Sequence, residues 1–178
     1  HPLASSAQWE ATIRALWREA RYREERYAAI ELAGYRRYRD YQTLDALPLY
    51  EEMIVSGAWW DLVDTLATHQ IGELLRRYPE PMRATVLTWS RDANLWRRRA
   101  AILCQNSFRA ATDESLLIAC IEPNLADRDF FIRKGIGWAL RAYAATNPDA
   151  VRRFVREHEA EMSPLTRREA LKHLGAAP

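Results

Sequence analysis

The chain has 178 residues, 48% hydrophobic and 28% charged, which fits one globular domain over residues 1–178 and excludes an intrinsically disordered protein. Its formal net charge is only +2, so overall charge does not by itself indicate a nucleic-acid partner. No apolar run approaches the ~20 residues of a membrane span, and the start of the chain lacks a signal-peptide pattern, so we expect a cytoplasmic protein without a membrane partner.

Apolar residues recur at helical spacing from the start of the chain and predict a succession of helices. Ser6 is the predicted N-cap of the first helix, and the second covers about 21–38. Thr43 opens the third, and a fourth covers 60–78 until prolines end it. No stretch shows the alternation of a β-strand.

The second half of the chain continues this helical pattern. A fifth helix covers 82–89, and polar residues that favour helix starts precede each of the next five. Two of them stand directly before a proline, the usual residue of the first helical position. The predicted N-caps are Asn94, Thr112 or Asp113, Asp127, Asn147 and Ser163.

The predicted helices form short-looped pairs of about 25 to 40 residues, which is the period of two-helix solenoid repeats. We therefore predict an all-α fold, an α-solenoid of HEAT or armadillo-like repeats. The second helices of such pairs line the concave side, so the fourth, sixth and eighth helices should be neighbours along one groove.

The fourth helix begins with two tryptophans and two acids. Trp60 and Asp64 are four residues apart and share one helix face, whereas Leu62 and Leu66 turn toward a different surface. Two interpretations stay open on spacing alone: a functional surface with an indole and an acid, or Trp60 in the core with Asp64 a solvated charge. Asp61, in the first turn, is interpreted as a structural residue that complements the helix N-terminus.

Three consecutive arginines open the sixth helix. They fan around the helix, so at least one points into the groove whichever face is buried. Because Ile102 continues the apolar side, Arg99 is the candidate that points inward. For Arg97 and Arg98 we prefer a solvated basic face with salt bridges between repeats.

The eighth helix alternates aromatic and basic residues. Phe131 and Trp138 are seven apart and share a face, with Lys134 and Arg141 at neighbouring turns. Aromatic side chains interleaved with cations suit an unpaired or distorted nucleotide, through base stacking and phosphate binding. An acid in such a groove repels phosphate, so Asp64 is best explained by a chemical role.

Other residues of the eighth helix are interpreted structurally. Gly135 and Gly137 lie in the helix interior, where glycine is unfavourable, and indicate close approach of a neighbour or a ligand. Phe130, Ile136 and Leu140 are assigned to the core.

The cysteines and histidines give no sign of a metal site. Cys104 and Cys120 lie in apolar helical stretches and are interpreted as reduced core residues. His69, His158 and His173 have no acid or cysteine at ligand spacing and are assigned to the surface or to helix ends.

Three ordered motifs carry a resemblance to a known family: WDLVD at 60–64, NLWRRRAAI at 94–102 and FFIRKGIGWALR at 130–141. Together they resemble the DNA alkylation repair family of HEAT-like DNA glycosylases, the AlkD type, over most of the chain. Members normally carry further helical sequence ahead of this part, and the missing initiating Met leads us to expect that this chain lacks it.

The resemblance implies a monofunctional glycosylase that excises N3- or N7-alkylated purines from duplex DNA, without a cofactor or a metal. It implies a monomeric, nucleoid-associated protein of bacterial type. Asp64 falls on the family's catalytic acid, Arg99 on its groove arginine, and Trp60 and Trp138 on the tryptophans beside the lesion. The predicted DNA-binding residues are Arg97, Arg98, Phe131, Arg133, Lys134 and Arg141.

The chemistry agrees with that assignment. An N3- or N7-alkylated purine is already cationic and leaves readily, so Asp64 would stabilise the oxocarbenium-like sugar and orient water. No lysine corresponds to Asp64 for Schiff-base chemistry, so no strand cleavage is expected. Two alternatives stay open: a catalytically silent DNA-binding solenoid, and a HEAT-type scaffold whose tryptophans and arginines anchor an acidic protein partner.

Overall fold

The computed structural model describes residues 2–174, and every regular element in that range is helical. The first five α-helices are α1 (Ser6–Arg18), α2 (Arg23–Gly34), α3 (Leu47–Gly57), α4 (Trp60–Leu66) and α5 (Gly72–Arg77). They are followed by α6 (Pro79–Trp89), α7 (Leu95–Leu103), α8 (Glu114–Ile121), α9 (Phe130–Ala144), α10 (Pro148–Glu157) and α11 (Pro164–Ala170). Short 3-10 turns cover Arg36–Tyr41, Leu44–Ala46, Arg109–Ala111 and Glu122–Asn124.

The helices stack in two layers, as an α-solenoid predicts. In one layer α2 packs on α4, α4 on α7, α7 on α9, and α9 on α11, while α1 packs on α3 and α6 on α8 in the other. The sequence prediction that the Trp60, Arg99 and Trp138 helices are neighbours is therefore confirmed. These helices meet the core through buried aliphatic side chains such as Leu62, Ile102 and Ile136.

Side-chain caps define most of the helix starts. The Asn94 side chain accepts hydrogen bonds from the N–H groups of Trp96 and Arg97, and Asp113, Asn147 and Ser163 also cap their helices, as predicted. These bonds satisfy donors that the first helical turn leaves free.

Two predicted caps are wrong. Ser5 rather than Ser6 caps α1, through a bond from the Gln8 N–H. Asp129 rather than Asp127 caps α9, since its Oδ1 accepts from the backbone of Phe131 at 2.7 Å. The Asp127 carboxylate is used elsewhere, accepting from the Asp129 N–H and pairing with Arg98.

The helix that carries Asp64 is continuous but contains one wider turn. A π-helical turn over Ala67–Ile71 joins α4 to α5, so residues 60–77 follow one axis. A Cβ on Gly72, directly after the wide turn, would lie 2.7 Å from the Cys104 carbonyl oxygen, so only glycine permits this approach to the end of α7. Such turns occur mostly as single turns inside α-helices and are frequent at functional sites.

The core contains both cysteines but not every residue assigned to it. Cys104 and Cys120 are free and buried, as predicted. Ile136 and Leu140 are buried, whereas Phe130 is 58% exposed, so its assignment to the core is wrong. Phe130 is the first residue of α9, and the next two residues turn inward instead. The 21–38 helix also ends earlier than predicted, at Gly34, where a 3-10 turn follows.

Candidate functional site

A cleft of about 470 Å³ opens between α4, α9 and the end of α7. Trp60 and Asp64 come from α4, and Trp138 faces them from α9. The structure thus brings three of the four predicted catalytic residues to one surface. The remaining lining residues are Asp61, Thr65, Thr68, His69, Asn106 and Ser107.

Trp60 and Asp64 are exposed to very different degrees. The Trp60 indole is 47% exposed, so the interpretation that it belongs to the core is wrong. Asp64 is 8% exposed and lies at the base of the cleft. A half-exposed indole beside a nearly buried acid is the arrangement of a binding surface rather than of a packed core.

Asp64 is held by Arg99 in a two-point ion pair. Arg99 Nε donates to Asp64 Oδ1 at 2.7 Å, and Nη2 donates to Oδ2 at 2.8 Å. The third guanidinium nitrogen, Nη1, donates to the backbone carbonyl of Phe131. Arg99 is only 4% exposed and lies behind Asp64, so it does not itself line the cleft as the prediction of a groove-facing arginine expected. The pair joins α4, α7 and α9 at one point.

Burial and the ion pair act on Asp64 in opposite directions. Burial raises the pKa of Asp64 above its ordinary value, and the hydrogen bonds and charge of Arg99 oppose this rise. Both carboxylate oxygens accept a hydrogen bond from Arg99, as the ionised form allows. The cleft therefore presents a carboxylate whose charge is balanced by a cation that cannot move away.

Asp61 lies in the same cleft but has a different environment. It pairs with Arg23, accepts from the Tyr27 hydroxyl, and accepts from the Leu62 N–H at 2.8 Å. Partial burial acts to raise the pKa of Asp61, but these hydrogen bonds together hold it below its ordinary value. The contacts tie α4 to α2, which agrees with the structural role predicted for Asp61.

An aromatic cluster lies beside the cleft. The Phe131 ring is 5.2 Å from that of Trp96, 5.5 Å from that of Trp59 and 5.6 Å from that of Phe130, between centroids. Phe131 therefore packs in this cluster, whereas Trp138 lines the cleft. Their seven-residue spacing places them on one side of α9 but in different contacts.

The first two arginines of α7 form salt bridges. Arg97 contacts Glu51 at 2.7 Å and Asp92 at 3.0 Å, and Arg98 contacts Asp127 at 2.9 Å. The bridges to Glu51 and Asp127 connect different repeats, as the preferred interpretation of the sequence expected, whereas the bridge to Asp92 lies within the turn before α7. Their role in DNA binding stays a prediction.

The basic residues of α9 also have partners within the chain. Lys134 and Arg141 both pair with Glu169 of α11, at 3.0 and 2.5 Å. Arg133 Nε donates to the Asp127 carbonyl at 2.9 Å. All three are partly exposed, and DNA contact by them stays a prediction.

Comparison with known proteins decides the family. The sequence model of the family described as DNA alkylation repair enzyme matches residues 1–174. This chain belongs to the DNA alkylation repair enzyme family. A solved structure described as a predicted DNA alkylation repair enzyme from Enterococcus faecalis superimposes with a TM-score of 0.87 at 29% identity, covering 98% of this chain and 79% of the other. A search of curated proteins gives no match.

Several cleft residues of this family member were not predicted as site residues. Thr68 follows Asp64 by four residues, so helical spacing could have found it. His69, assigned to the surface, is exposed at the cleft and belongs to the π turn, which has no signal in the sequence. Asn106 and Ser107 arrive from the turn after α7. The Asn106 Nδ2 atom is buried without a hydrogen-bond partner.

Metal-binding clusters and membrane-spanning helices are both absent from the described part of this family member. Within residues 2–174, no group of three or more His, Cys, Asp or Glu side chains is placed to hold a metal ion. None of the helices in that range combines the length and apolar character needed to cross a bilayer.

Proposed function

We propose that this chain is a monofunctional DNA glycosylase that hydrolyses the N-glycosidic bond of positively charged N3- or N7-alkylated purines in duplex DNA. Membership of the DNA alkylation repair enzyme family supports DNA as the substrate. The observation that carries the proposal is the Asp64 carboxyl, which Arg99 holds with two hydrogen bonds at the base of a cleft lined by Trp60 and Trp138.

The Asp64–Arg99 pair explains how an acid can lie in a DNA groove without strong repulsion of the phosphates. The nearby guanidinium offsets the negative charge, so distant phosphates meet a neutral pair rather than an anion. Each carboxylate oxygen accepts one bond from Arg99 and keeps a lone pair for another partner. Asp64 is therefore fixed in place and still able to act on the substrate.

The reaction requires stabilisation of the cation that develops on the sugar rather than protonation of the base. The alkylated purine already carries a positive charge and departs as a neutral base when the C1′–N bond breaks. An oxocarbenium-like cation develops on the sugar, and the Asp64 carboxylate stabilises it and orients the water that adds to C1′. The proton of that water passes to solvent or to Asp64, and no cofactor or metal is required.

The tryptophans supply recognition of charge. Trp60 and Trp138 both line the cleft, and the face of an indole attracts a cation. They would hold the cationic nucleotide more strongly than an ordinary base. Within the described residues neither Lys134 nor Lys172 lines this cleft, so we propose no Schiff base and no strand cleavage.

Release of 7-methylguanine or 3-methyladenine from alkylated duplex DNA tests the proposal. We expect the native chain to release base, and Asp64→Asn to bind the same DNA but release base about 100-fold more slowly or worse. Glu73→Gln is the matched control: it also removes a carboxylate paired with an arginine, at 2.9 Å from Arg39, on α5 outside the cleft. This control should release base at the native rate.

The alternatives give different results in the same assay. A chain that binds duplex DNA but releases no base, as native protein and as Asp64→Asn, is a silent DNA-binding solenoid. A chain that binds DNA no better than other polyanions is a protein-interaction scaffold. Gel filtration and light scattering test the monomeric state that we propose, and imaging of a tagged protein tests the proposed location at a bacterial nucleoid.

A further inference from the structure

Two large aromatic side chains next to the cleft are exposed and have no part in the mechanism above. The Trp59 ring is 45% exposed and the Phe130 ring 58% exposed. Both contact Phe131, with ring centroids 5.5 and 5.6 Å away. We call Trp59, Phe130 and Phe131 the aromatic ridge. It runs across the adjoining N-terminal ends of α4 and α9.

The sequence places these rings where other residues would stabilise the fold better. Trp59 is the N-cap residue of α4 and makes no capping hydrogen bond, at a position where Ser, Thr, Asp or Asn stabilises a helix. Phe130 is the first residue of α9 and leaves more than half of its surface in water. Neither position is explained by folding, which favours a ligand that covers the rings.

The aromatic ridge is connected to the catalytic pair through Phe131. Its ring supports Trp59 and Phe130, and its backbone carbonyl accepts the hydrogen bond from Arg99 Nη1. Trp59 also directly precedes Trp60 of the cleft. The ridge therefore adjoins the place where a duplex over Asp64 would lie, within reach of a nucleotide displaced from that duplex.

The charge beside the ridge fits a nucleic acid. Arg128 is exposed two residues before Phe130, and it makes no salt bridge with any other residue in 2–174. Its guanidinium is available to a phosphate, whereas the rings offer flat apolar faces. Aromatic faces bordered by a cation are the usual platform for an unpaired base, because a base inside the stack has no free face to offer.

We propose that the aromatic ridge binds an unpaired nucleobase by stacking, beside the position where the cleft holds the duplex. The inference rests on the proposed function for DNA as the ligand, but it does not require base release. The ridge would capture a base that loses its partner when the duplex is distorted over Asp64. It would thereby favour distorted over regular DNA.

Binding to two undamaged duplexes tests this inference. They have the same sequence, except that one carries a single-nucleotide bulge of 2-aminopurine, whose fluorescence falls when it stacks. We expect the native chain to prefer the bulged duplex and to quench the probe. Trp59→Ala and Phe130→Ala should each weaken binding of the bulged duplex roughly 5- to 150-fold, the factor that corresponds to loss of one stacked base, and leave the paired duplex nearly unaffected.

Two further variants separate stacking from loss of structure. Trp59→Phe retains an aromatic face and should retain most of the preference and the quenching. Tyr35→Ala removes another exposed ring, 52% accessible, that lies outside the ridge and the cleft, and should bind both duplexes as the native chain does. Circular dichroism checks that each variant is folded.

Several results would overturn the inference. Equal binding of the two duplexes by the native chain would do so, as would a bulge preference that survives in both alanine variants; the ridge would then suit a protein partner. Failure to bind either duplex would overturn the ridge, whereas release of alkylated bases by the same chain would still support the glycosylase. Bulge preference without release of alkylated bases would support the ridge and refute the glycosylase.

Discussion

Replacement of Arg99 by methionine is expected to destabilise the fold strongly at neutral pH and weakly in mild acid. Arg99 and Asp64 are 4% and 8% exposed, and Arg99 supplies both hydrogen bonds of the pair. Removal of one partner of a buried ion pair costs about 3–5 kcal/mol, because the other charge stays buried and unpaired. The Phe131 carbonyl also loses its donor in this variant.

The dependence on pH follows from the remaining carboxyl. Burial raises the pKa of Asp64 in the native chain, and Arg99 opposes the rise, so the pKa is higher still in Arg99→Met. A carboxyl whose pKa is raised by folding stabilises the folded state when the pH is below its unfolded-state pKa. This stabilisation is lost as the pH rises through the folded-state pKa. The cost of the substitution should therefore be smallest near about pH 4, close to the unfolded-state pKa of an aspartate, and clearly larger at about pH 7.

Urea unfolding at these two pH values measures the effect. Arg39→Met is the matched control, because Arg39 pairs with Glu73 at the surface, where the side chains are 66% and 33% exposed. Its loss should cost at most about 1 kcal/mol at either pH. A cost for Arg99→Met that is the same at both pH values, or no larger than that of the control, would refute the buried-carboxylate reasoning.

Three further changes have defined outcomes. Gly137→Ala puts a Cβ 2.5 Å from the Glu169 Cβ, so it should lower the free energy of unfolding by about 1–3 kcal/mol in urea. Gly135→Ala should cost less, because its Cβ would lie farther from its nearest neighbour, at 3.1 Å from Arg99 Nη1; equal losses would contradict this. Glu169→Gln frees Lys134 and Arg141, so the salt dependence of DNA binding should steepen by up to about two phosphate contacts, and an unchanged slope would show that neither cation reaches DNA. Glu169 and Asp92 both have pKa values below the ordinary ones, because Glu169 accepts a hydrogen bond from Lys134 and Asp92 accepts one from the Asn94 N–H. The stability that these two carboxylates contribute should be lost as the pH falls through their lowered pKa values. A melting temperature unchanged between about pH 6 and pH 3 would refute this.

The sequence was most informative where a local rule determines the structure. Asn147 and Ser163 were assigned as caps because each is a polar residue directly before a proline, and proline favours the first position of a helix. The structure confirms both caps. The stacking order of the Trp60, Arg99 and Trp138 helices followed from the repeat period. The choice of Asp127 as a cap instead of Asp129 was wrong. Cap preference is the same for both aspartates, and only the structure shows that Asp127 pairs with Arg98 instead.

Features that depend on contacts between helices could not be predicted from the sequence. Periodicity distinguished Arg99 from the two neighbouring arginines. It did not indicate that Arg99 binds Asp64, which lies 35 residues away in sequence. The π turn after α4 has no composition signal, so His69 was placed at the surface without a link to the cleft. Phe130 was assigned to the core because it is apolar, whereas its place at the first position of α9 leaves it exposed.

The attachment of the Asp64–Arg99 pair to three helices affects how the protein tolerates thermal motion. Stacked repeats open from their ends, and each opening exposes only the neighbouring repeat. Because α4, α7 and α9 have α1–α3 on one side and α10–α11 on the other, fraying of either end of the described chain leaves the pair closed. The end repeats can therefore open without breaking the Asp64–Arg99 pair, which keeps its geometry while the central helices stay folded.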